Sequence, residues 1–469
     1  MYSKQFGGKV TKKLTEQYQQ SANWKNGKFQ NLEETSLHIS LSKMPGIIYR
    51  QLTAINRFLN LEKNKSTMEK PIPIFIHCII GLAFTLFPGY FSFSQPITNP
   101  DSLSKNSFGW NQEEKELGFA HFDEVYKARE VPKGRKVYAL KQGNPLTALS
   151  KGGEKESALE KFITEQKVAG LLVLHNGKIR LERYALGFTE NERWTSHSIA
   201  KSVTSTLLGA AIKDGYIKSV DEYVTHYIPA LKGSAYDSVT IRQLLTMTTG
   251  VRWTEIYTDP NADIVKFYNQ PVEPGMDATV SYMRGLPREA EPGKKWVYKT
   301  GETHLLGVLV SAATGQTLSQ YLSSKIWVPY GMEQKATWIL GSTNHELVGC
   351  CLQMKLRDFG RFGQFMLDGA RINGKSIVPD DWLQAATQTQ IKLMPGLGYG
   401  YQWWTVGDGC FRALGIHGQM IHIDPKRQLV VVINSAWPEA ESFMRQMIAD
   451  NFLKMVVGEI DKEGKATAK

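Results

Sequence analysis

The alternation of apolar and polar positions predicts sheet strands in two distant parts of the chain and helices between them. Apolar runs on either side of Asn176-Gly177 predict a β-hairpin over residues 171–184, because this dipeptide suits a tight turn between two strands. Residues 415–433 form a second hairpin pattern, and their branched side chains favour strands. Helical spacing returns over residues 439–456. The pattern therefore predicts an α/β (α+β) fold, in which an antiparallel sheet from both chain ends is flanked by helices and carries an inserted helical lobe.

A long helix is predicted to follow Ser198 and to end at Asp214-Gly215, where the glycine is a typical helix stop. Its apolar positions are Val203, Leu207, Leu208, Ala210, Ala211 and Ile212. Further along, Thr240 and Gln243 form the capping box of a short helix. A loop-rich stretch with several aromatic residues follows Gly250.

The longest apolar run covers residues 72–93, and Met68-Glu69-Lys70 precedes it. With small residues at its end, segment 68–94 has the pattern of a secretory signal peptide that is cleaved after Ser94. Left uncut, residues 72–93 are long enough to span a bilayer, and a buried core helix is the third interpretation. The basic residues before the run favour export of the chain beyond residue 93. We therefore expect a periplasmic or secreted protein, or one anchored by residues 72–93 with its catalytic domain outside.

The remaining chain divides into three predicted parts. Residues 1–67 are a basic, irregular extension, residues 95–159 are a loose lead-in, and an ordered domain covers residues 160–469, with its first strand expected at Leu171. The net charge is +11, of which the first 70 residues carry +7 (12 Lys and Arg against 5 Asp and Glu). Because the charge is concentrated in this extension, it does not indicate a nucleic-acid partner.

The four cysteines, Cys78, Cys350, Cys351 and Cys410, have neither zinc-ligand spacing nor the pattern of a disulfide framework. The adjacent Cys350 and Cys351 are expected to be two buried small residues, and not a redox device. Residues 24–31 resemble the opening of some metallo-β-lactamase-fold hydrolases, but no metal-binding histidine cluster follows. Nothing in the sequence requires a metal or another cofactor.

The candidate chemistry begins with Ser198 and Lys201, which form an S-x-x-K pattern. Residues three apart share one face of a helix, so the amine would lie beside the hydroxyl. A partly desolvated lysine can take a serine proton near neutral pH. The pattern alone is weak, because it recurs at Ser40 and Ser102, but only Ser198 opens a long apolar helix. The alternative is a serine that merely caps that helix.

Two further motifs follow in order, Tyr298-Lys299-Thr300 and Ile416-His417-Gly418. Together with the S-x-x-K pattern they resemble the three active-site motifs of penicillin-recognising serine hydrolases. The chain resembles the class C β-lactamase-related group over residues 160–455, and most resembles its branch of 6-aminohexanoate-dimer hydrolases and related esterases. Supporting stretches are residues 244–250, 357–363 and 399–404. The resemblance implies a β-lactamase/transpeptidase-like fold.

The resemblance also implies the catalytic roles. Ser198 would be the nucleophile, Lys201 its basic partner, and Tyr298 a phenolate, held by Lys201, that relays the proton to the leaving group. The alternative for Tyr298 is a buried aromatic residue before a helix. The sequence leaves open which of Lys201 and Tyr298 takes the first proton.

Substrate contacts are expected from Thr300, from the third motif and from an aromatic loop over residues 253–260. The backbone N–H groups of Ser198 and Gln419 would form an oxyanion hole beside Gly418. His417 is either part of this site or a packed sheet residue.

Tyr257 would lie over the acyl site, or would pack on the helical lobe. Thr300 replaces the asparagine of many relatives, and Ile416 takes the place of a cationic residue or histidine. A β-lactam would therefore lose polar contacts, whereas a small ester needs little besides the oxyanion hole. We expect an exported serine hydrolase of small esters or amides. The alternatives are a β-lactamase or DD-peptidase type of enzyme, and a sensor that captures an acyl group without turnover.

Overall fold

The computed structural model describes residues 99–150 and 157–467. The strands are β1 Ala128–Val131, β2 Lys141–Gln142, β3 Val168–His175, β4 Lys178–Tyr184, β5 Trp194–Thr195, β6 Ala336–Ile339, β7 Leu352–Met354, β8 Arg371–Ile372, β9 Lys375–Ser376, β10 Ile391–Met394, β11 Leu397–Tyr399, β12 Trp404–Val406, β13 Phe411–Gly415, β14 Gln419–Asp424 and β15 Leu429–Ser435. The α-helices are α1 Gln112–Gly118, α2 Phe122–Val125, α3 Thr147–Ser150, α4 Ala158–Glu165, α5 Ile199–Lys213, α6 Val224–Tyr227, α7 Ile241–Leu245, α8 Asp263–Asn269, α9 Ala278–Met283, α10 Thr300–Thr314, α11 Leu318–Leu322, α12 Leu356–Leu367, α13 Trp382–Thr387 and α14 Phe443–Thr467. A π-helical segment, Ser323–Gly331, follows α11.

The main sheet is built from both ends of the catalytic region, as the hydrophobic pattern predicts. Among the described residues its strand order is β10-β11-β12-β13-β14-β15-β3-β4-β2. β15 pairs antiparallel with β3, which joins the two predicted hairpins. The pairing is antiparallel throughout except at the edge, where β2 lies parallel to β4. Asn176 and Gly177 both have positive φ, which is the conformation that the β3–β4 hairpin turn requires.

Two apolar layers cover the main sheet, one on each face. Along β3, Leu172 and Leu174 point into a large core with α5 and α12, whereas Leu171 and Val173 point into a second core with α4 and α14. This alternation follows from the period of two along a strand. Full burial of each leucine stabilises the fold by about 1.5–3 kcal/mol. Both layers are therefore needed to hold the strands that border the site.

Helix α5 runs through the larger core and places the S-x-x-K pair. Its first thirteen residues are buried, so the helix is enclosed on nearly every side. Gly209 lets α5 approach Trp382 closely, because an added Cβ would lie 2.5 Å from that ring. The Thr240 capping box at the start of α7 is confirmed, with both of its reciprocal hydrogen bonds present.

The described part of the lead-in is ordered, so the expectation of a loose segment with a first strand at Leu171 is wrong there. Residues 99–150 contain α1, α2, α3, β1 and β2, and β1 pairs with β6 in a four-stranded sheet. Trp110, Phe119 and Phe122 are buried in the large core. These elements are only two to seven residues long, which is too short for a helical or strand period to show in the sequence.

The extension of residues 1–67 and the predicted signal segment 68–94 lie outside the described residues. Within residues 99–150 and 157–467, the structure contains no helix that is both long and apolar enough to cross a membrane.

Candidate active site

Ser198 precedes the first turn of α5 and makes no capping hydrogen bond through its side chain, so the capping interpretation is wrong. Its hydroxyl instead accepts a hydrogen bond from Lys201 Nζ at 2.8 Å. The residue before it, His197, has a φ of 41°, in the left-handed region that residues other than glycine seldom occupy. The turn therefore directs the Ser198 side chain to the lysine on the same helix face.

Lys201 is buried, with 1% of its surface exposed, and donates to three oxygens. These are Ser198 Oγ at 2.8 Å, Thr300 Oγ1 at 3.0 Å and the Gly349 carbonyl at 2.7 Å. Burial lowers the pKa of Lys201 to about 8, while the charge of Glu255 acts in the opposite direction. A lysine in this range is partly neutral near pH 7 and can accept a proton.

Tyr298 lies on the other side of Lys201, whose Nζ is 4.9 Å from the centre of the phenol ring. The ring stacks on Trp404 with a centroid distance of 5.8 Å. Burial raises the pKa of Tyr298 above its ordinary value, as does Glu255, and a hydrogen bond with Ser198 offsets only part of this. This shift favours the neutral phenol over the phenolate that the family resemblance implies.

Thr300 is tied to Lys201 and to Glu255. Its hydroxyl accepts from Lys201 and donates to Glu255 Oε1 in a short hydrogen bond. Its backbone N–H donates to Glu255 Oε2 at 2.7 Å. The expected substrate contact of Thr300 is thus replaced by a structural one, although the residue still borders the cavity in front of Ser198.

Gly415, the residue just before the predicted third motif, lies closest to Ser198. An added Cβ on Gly415 would lie 2.7 Å from the Ser196 carbonyl and 3.0 Å from the Ser198 nitrogen, so only glycine permits this approach. Gln419 lies on the next strand, opposite Gly415. Its buried amide donates to the carbonyls of Ile416, His417 and Ser435. Gln419 therefore braces the turn through its side chain, and the oxyanion-hole role expected of its backbone N–H stays a prediction.

His417 and Gly418 form that turn between β13 and β14, with φ values of 59° and 87°. His417 Nδ1 donates to the Trp437 carbonyl at 2.7 Å, and burial lowers the pKa of His417 to about 4. The imidazole is therefore neutral, and it lines the cavity. Gly418 packs directly on the Trp437 ring, where an added Cβ would come within 2.4 Å.

A cavity of about 260 Å³ opens in front of Ser198. Four of the predicted residues line this cavity, namely Ser198, Tyr257, Thr300 and His417. Lys201 and Tyr298 do not line it, and lie behind Ser198. Tyr257 donates to Glu255 Oε1 at 2.7 Å. The remaining wall combines aromatic residues with polar and charged ones. The aromatic residues are Phe108, Phe119, Phe122, Tyr126, Phe267 and Tyr268, and the ionisable ones include Lys105, Asp277, His345 and Glu346.

Sequence reasoning missed three features of this site. Glu255 lies in the aromatic loop, two residues before Tyr257, and accepts from Trp253, Tyr257 and Thr300. The Phe108 segment of the lead-in forms part of the wall.

The third feature is a disulfide between Cys350 and Cys351, so the expectation of two separate small residues is wrong. Disulfides usually join Cα atoms about 4.4 Å or more apart, which adjacent residues cannot reach, and the sequence therefore argued against this bond.

Comparison with known proteins agrees with this geometry. The β-lactamase family model matches residues 156–451, which contain all the motif residues. A 6-aminohexanoate-dimer hydrolase from Paenarthrobacter ureafaciens is 27% identical over 306 residues, covering 61% of this chain and 76% of that protein. A β-lactamase from Pseudomonas fluorescens is 25% identical over 187 residues, covering 38% of this chain and 48% of that protein.

Solved structures show the same fold. One from Bacillus anthracis, assigned provisionally as a 6-aminohexanoate-dimer hydrolase, superposes with a TM-score of 0.67 at 24% identity, covering 74% of this chain and 95% of that one. A penicillin-binding protein from Bacillus halodurans superposes with a TM-score of 0.51 at 16% identity, covering 63% and 99%. The predicted β-lactamase/transpeptidase-like fold is confirmed. The chain belongs to the β-lactamase family of serine hydrolases, in agreement with its resemblance to the 6-aminohexanoate-dimer hydrolase branch.

Proposed function

We propose that the protein hydrolyses small esters and amides through an acyl-enzyme on Ser198. The observation that carries the proposal is the 2.8 Å hydrogen bond between Lys201 Nζ and Ser198 Oγ, made by a lysine whose pKa is lowered to about 8. A buried amine that is partly neutral at pH 7 is suited to take the proton of a serine hydroxyl. This assigns the first proton to Lys201 and leaves Tyr298 as the donor to the leaving group.

The proposed reaction has two halves. Ser198 Oγ attacks the substrate carbonyl while its proton passes to Lys201, and the C–O or C–N bond to the leaving group then breaks. The leaving group receives a proton from the Tyr298 phenol, which Lys201 reprotonates. Water then attacks the acyl ester, releases the acid and restores the Ser198 hydroxyl, with the same groups moving its protons.

The oxyanion of each tetrahedral intermediate needs two backbone N–H groups. The close approach of Gly415 to the Ser198 nitrogen supports a pair made by Ser198 and the residue that follows Gly415 in the chain, Ile416. Both residues line the cavity. Two such donors stabilise developing negative charge strongly in a site that excludes water.

The charges around the site favour substrates without a carboxylate next to the reactive bond. Ile416 offers no positive charge, and the Thr300 hydroxyl is already engaged by Lys201 and Glu255. Burial raises the pKa of the nearby Glu441, and the charge of Glu255 raises it further. The surroundings of these two carboxyl groups therefore disfavour negative charge. A carboxylate such as that of a cephalosporin would add to this repulsion. The aromatic residues of the wall instead favour apolar acyl or leaving groups. The Paenarthrobacter ureafaciens relative is named a 6-aminohexanoate-dimer hydrolase, which supports small amides as substrates as well.

Side-by-side kinetics with a short-chain nitrophenyl ester and a chromogenic cephalosporin test this proposal, with Ser198→Ala as the control. We expect a higher kcat/KM for the ester and no turnover by the variant. A higher kcat/KM for the cephalosporin would restore the β-lactamase interpretation. Mass spectrometry of the ester reaction adds a second readout, because a persistent acyl adduct without repeated product release would identify an acyl-binding sensor.

We also propose that the protein acts outside the cytoplasm, on the basis of the apolar run at residues 72–93 and the basic residues before it. N-terminal sequencing of protein recovered from outside the cytoplasm should give a start at or near Gln95. A start at Met1 in that fraction would support an uncleaved anchor. Recovery of all the activity from the cytoplasm would overturn export.

A further inference from the structure

The Cys350–Cys351 disulfide follows directly after Gly349, whose carbonyl accepts from Lys201 Nζ at 2.7 Å. We propose that this disulfide is a positioning element for Lys201, which holds the Gly349 carbonyl against the lysine amine and keeps that amine out of water. The inference rests on the proposed function, in which Lys201 is the base. Both cysteines also line the cavity in front of Ser198, so a soluble reductant has a route to the bond.

The N-terminal side of the disulfide is fixed by a chain of polar contacts. Gly349 N–H donates to His304 Nδ1 at 3.3 Å, and burial lowers the pKa of His304 to about 3, so the ring is neutral and accepts. Tyr268 lies 3.3 Å from His304 Nε2 and 3.7 Å from Cys350 Sγ through its hydroxyl. The Gly349 peptide is thus held from both sides, by His304 at its N–H and by Lys201 at its carbonyl.

The C-terminal side of the disulfide leads to the turn that carries the nucleophile. Leu352 N–H donates to Ser196 Oγ at 3.1 Å, and Ser196 N–H donates to the Leu352 carbonyl at 2.9 Å. The strand that starts at Leu352 pairs with β5, just before Ser198. The disulfide therefore lies between a contact with the base and a contact with the nucleophile turn.

Covalent closure explains how this segment keeps its shape. Cys351 has a φ of 68°, a conformation that residues other than glycine seldom adopt without an outside constraint. Gly349 fits tightly, since an added Cβ would lie 2.8 Å from Thr300 Cγ2 and 3.0 Å from its carbonyl. When the sulfur–sulfur bond is broken, Cys351 is free to return to negative φ. The Gly349 carbonyl would then turn away and admit water to Lys201.

A test uses the full chain with Cys78→Ser and Cys410→Ser, so that the pair supplies the only sulfhydryl groups. A phosphine reductant gives two electrons to the disulfide and takes the oxygen atom of a water molecule to become the phosphine oxide. The two protons of that water complete the two thiols. Intact mass confirms the gain of two hydrogen atoms.

We expect kcat to fall about 10- to 100-fold with little change in KM, because the base is displaced and not the substrate. The midpoint of the acidic limb of kcat/KM should move to higher pH, because hydration raises the pKa of Lys201.

The Cys350→Ala/Cys351→Ala variant provides a second measurement. It should show the same shifted limb and no response to the phosphine, and circular dichroism checks that it is folded. Labelling of Ser198 by a fluorophosphonate across the same pH range reports nucleophile activation without turnover, and should shift in parallel.

The proposal would be overturned if the fully reduced protein kept both its kcat and the pH midpoint of its kcat/KM. A lower kcat with an unchanged pH midpoint would also overturn it, because the disulfide would then have only a structural role. Absence of Ser198-dependent hydrolysis in the oxidised protein would instead contradict the proposed function.

Discussion

The carboxylate of Glu255 receives both the backbone N–H and the hydroxyl of Thr300. This pair connects the aromatic loop to the first turn of α10, which carries the second active-site motif. Because the same hydroxyl accepts from Lys201, the negative charge of Glu255 acts on this lysine through one intervening group. The loop that lines the cavity in front of Ser198 therefore also affects the pKa of the proposed base.

The wild-type enzyme should show an acidic limb in kcat/KM with a midpoint near the pKa of about 8 of Lys201, rising with pH because the neutral amine is the active form. Glu255→Gln should move this midpoint to lower pH, since loss of the negative charge disfavours the ammonium form. The plateau should fall about tenfold, because Thr300 loses a charged acceptor.

Glu289→Gln serves as the control for Glu255→Gln, because Glu289 is a half-exposed partner of Lys295. It should leave both the midpoint and the plateau unchanged. If the pH midpoint of kcat/KM in Glu255→Gln is unchanged or moves to higher pH, the assignment of Lys201 as the base is contradicted.

Ser198→Ala should reduce kcat by about 10⁴-fold or more, and Lys201→Ala and Tyr298→Phe should each lose most activity. The combined variants should lose little more than Ser198→Ala alone, because the three side chains act as one proton-transfer unit. Steady-state kinetics on the nitrophenyl ester measures these effects. Ser205→Ala, on the same helix but bonded to the Tyr401 carbonyl, should keep near-parental kcat. Near-parental hydrolysis by Ser198→Ala would show that the nucleophile is another residue.

Gly415→Ala should lower kcat by about 10- to 100-fold while the protein stays folded, because the new methyl group would push the strand away from the Ser198 nitrogen. The measurement is kcat on the ester, with circular dichroism to check folding. Gly407→Ala is the matched control, since an added Cβ there meets nothing within 4 Å. Equal kcat in the two variants would argue against an oxyanion hole beside Gly415.

Glu302→Ala should destabilise the fold by about 3–5 kcal/mol, because it leaves Lys299 buried without its ion-pair partner. Lys299 Nζ and Glu302 Oε1 are 3.2 Å apart, and both side chains are almost fully buried. Urea denaturation gives the free energy of unfolding. Glu289→Ala removes an exposed partner of Lys295 and should cost about 1 kcal/mol or less. Similar losses of unfolding free energy in Glu302→Ala and Glu289→Ala would show that the buried ion pair stabilises the fold no more than the exposed one does.

The sequence by itself determined the sheet, the central helix and the three motifs. Asn176-Gly177 fixed one hairpin because few dipeptides adopt two positive φ values, and the apolar run after Ser198 required a buried helix. The contact of Lys201 with Ser198 followed from their spacing, since three residues make nearly one helical turn. These are local properties, which a short window of sequence specifies.

Only the tertiary structure decided which distant groups meet at that helix. Glu255, Gly349 and Gly415 reach the Ser198–Lys201 pair from three separate segments, and nothing in their own neighbourhoods marks them as neighbours. The same holds for the protonation states, because burial and distant charges lower the pKa of Lys201 and raise that of Tyr298. Desolvation depends on how the whole chain packs, so a residue pattern can name the catalytic groups but cannot set their charge.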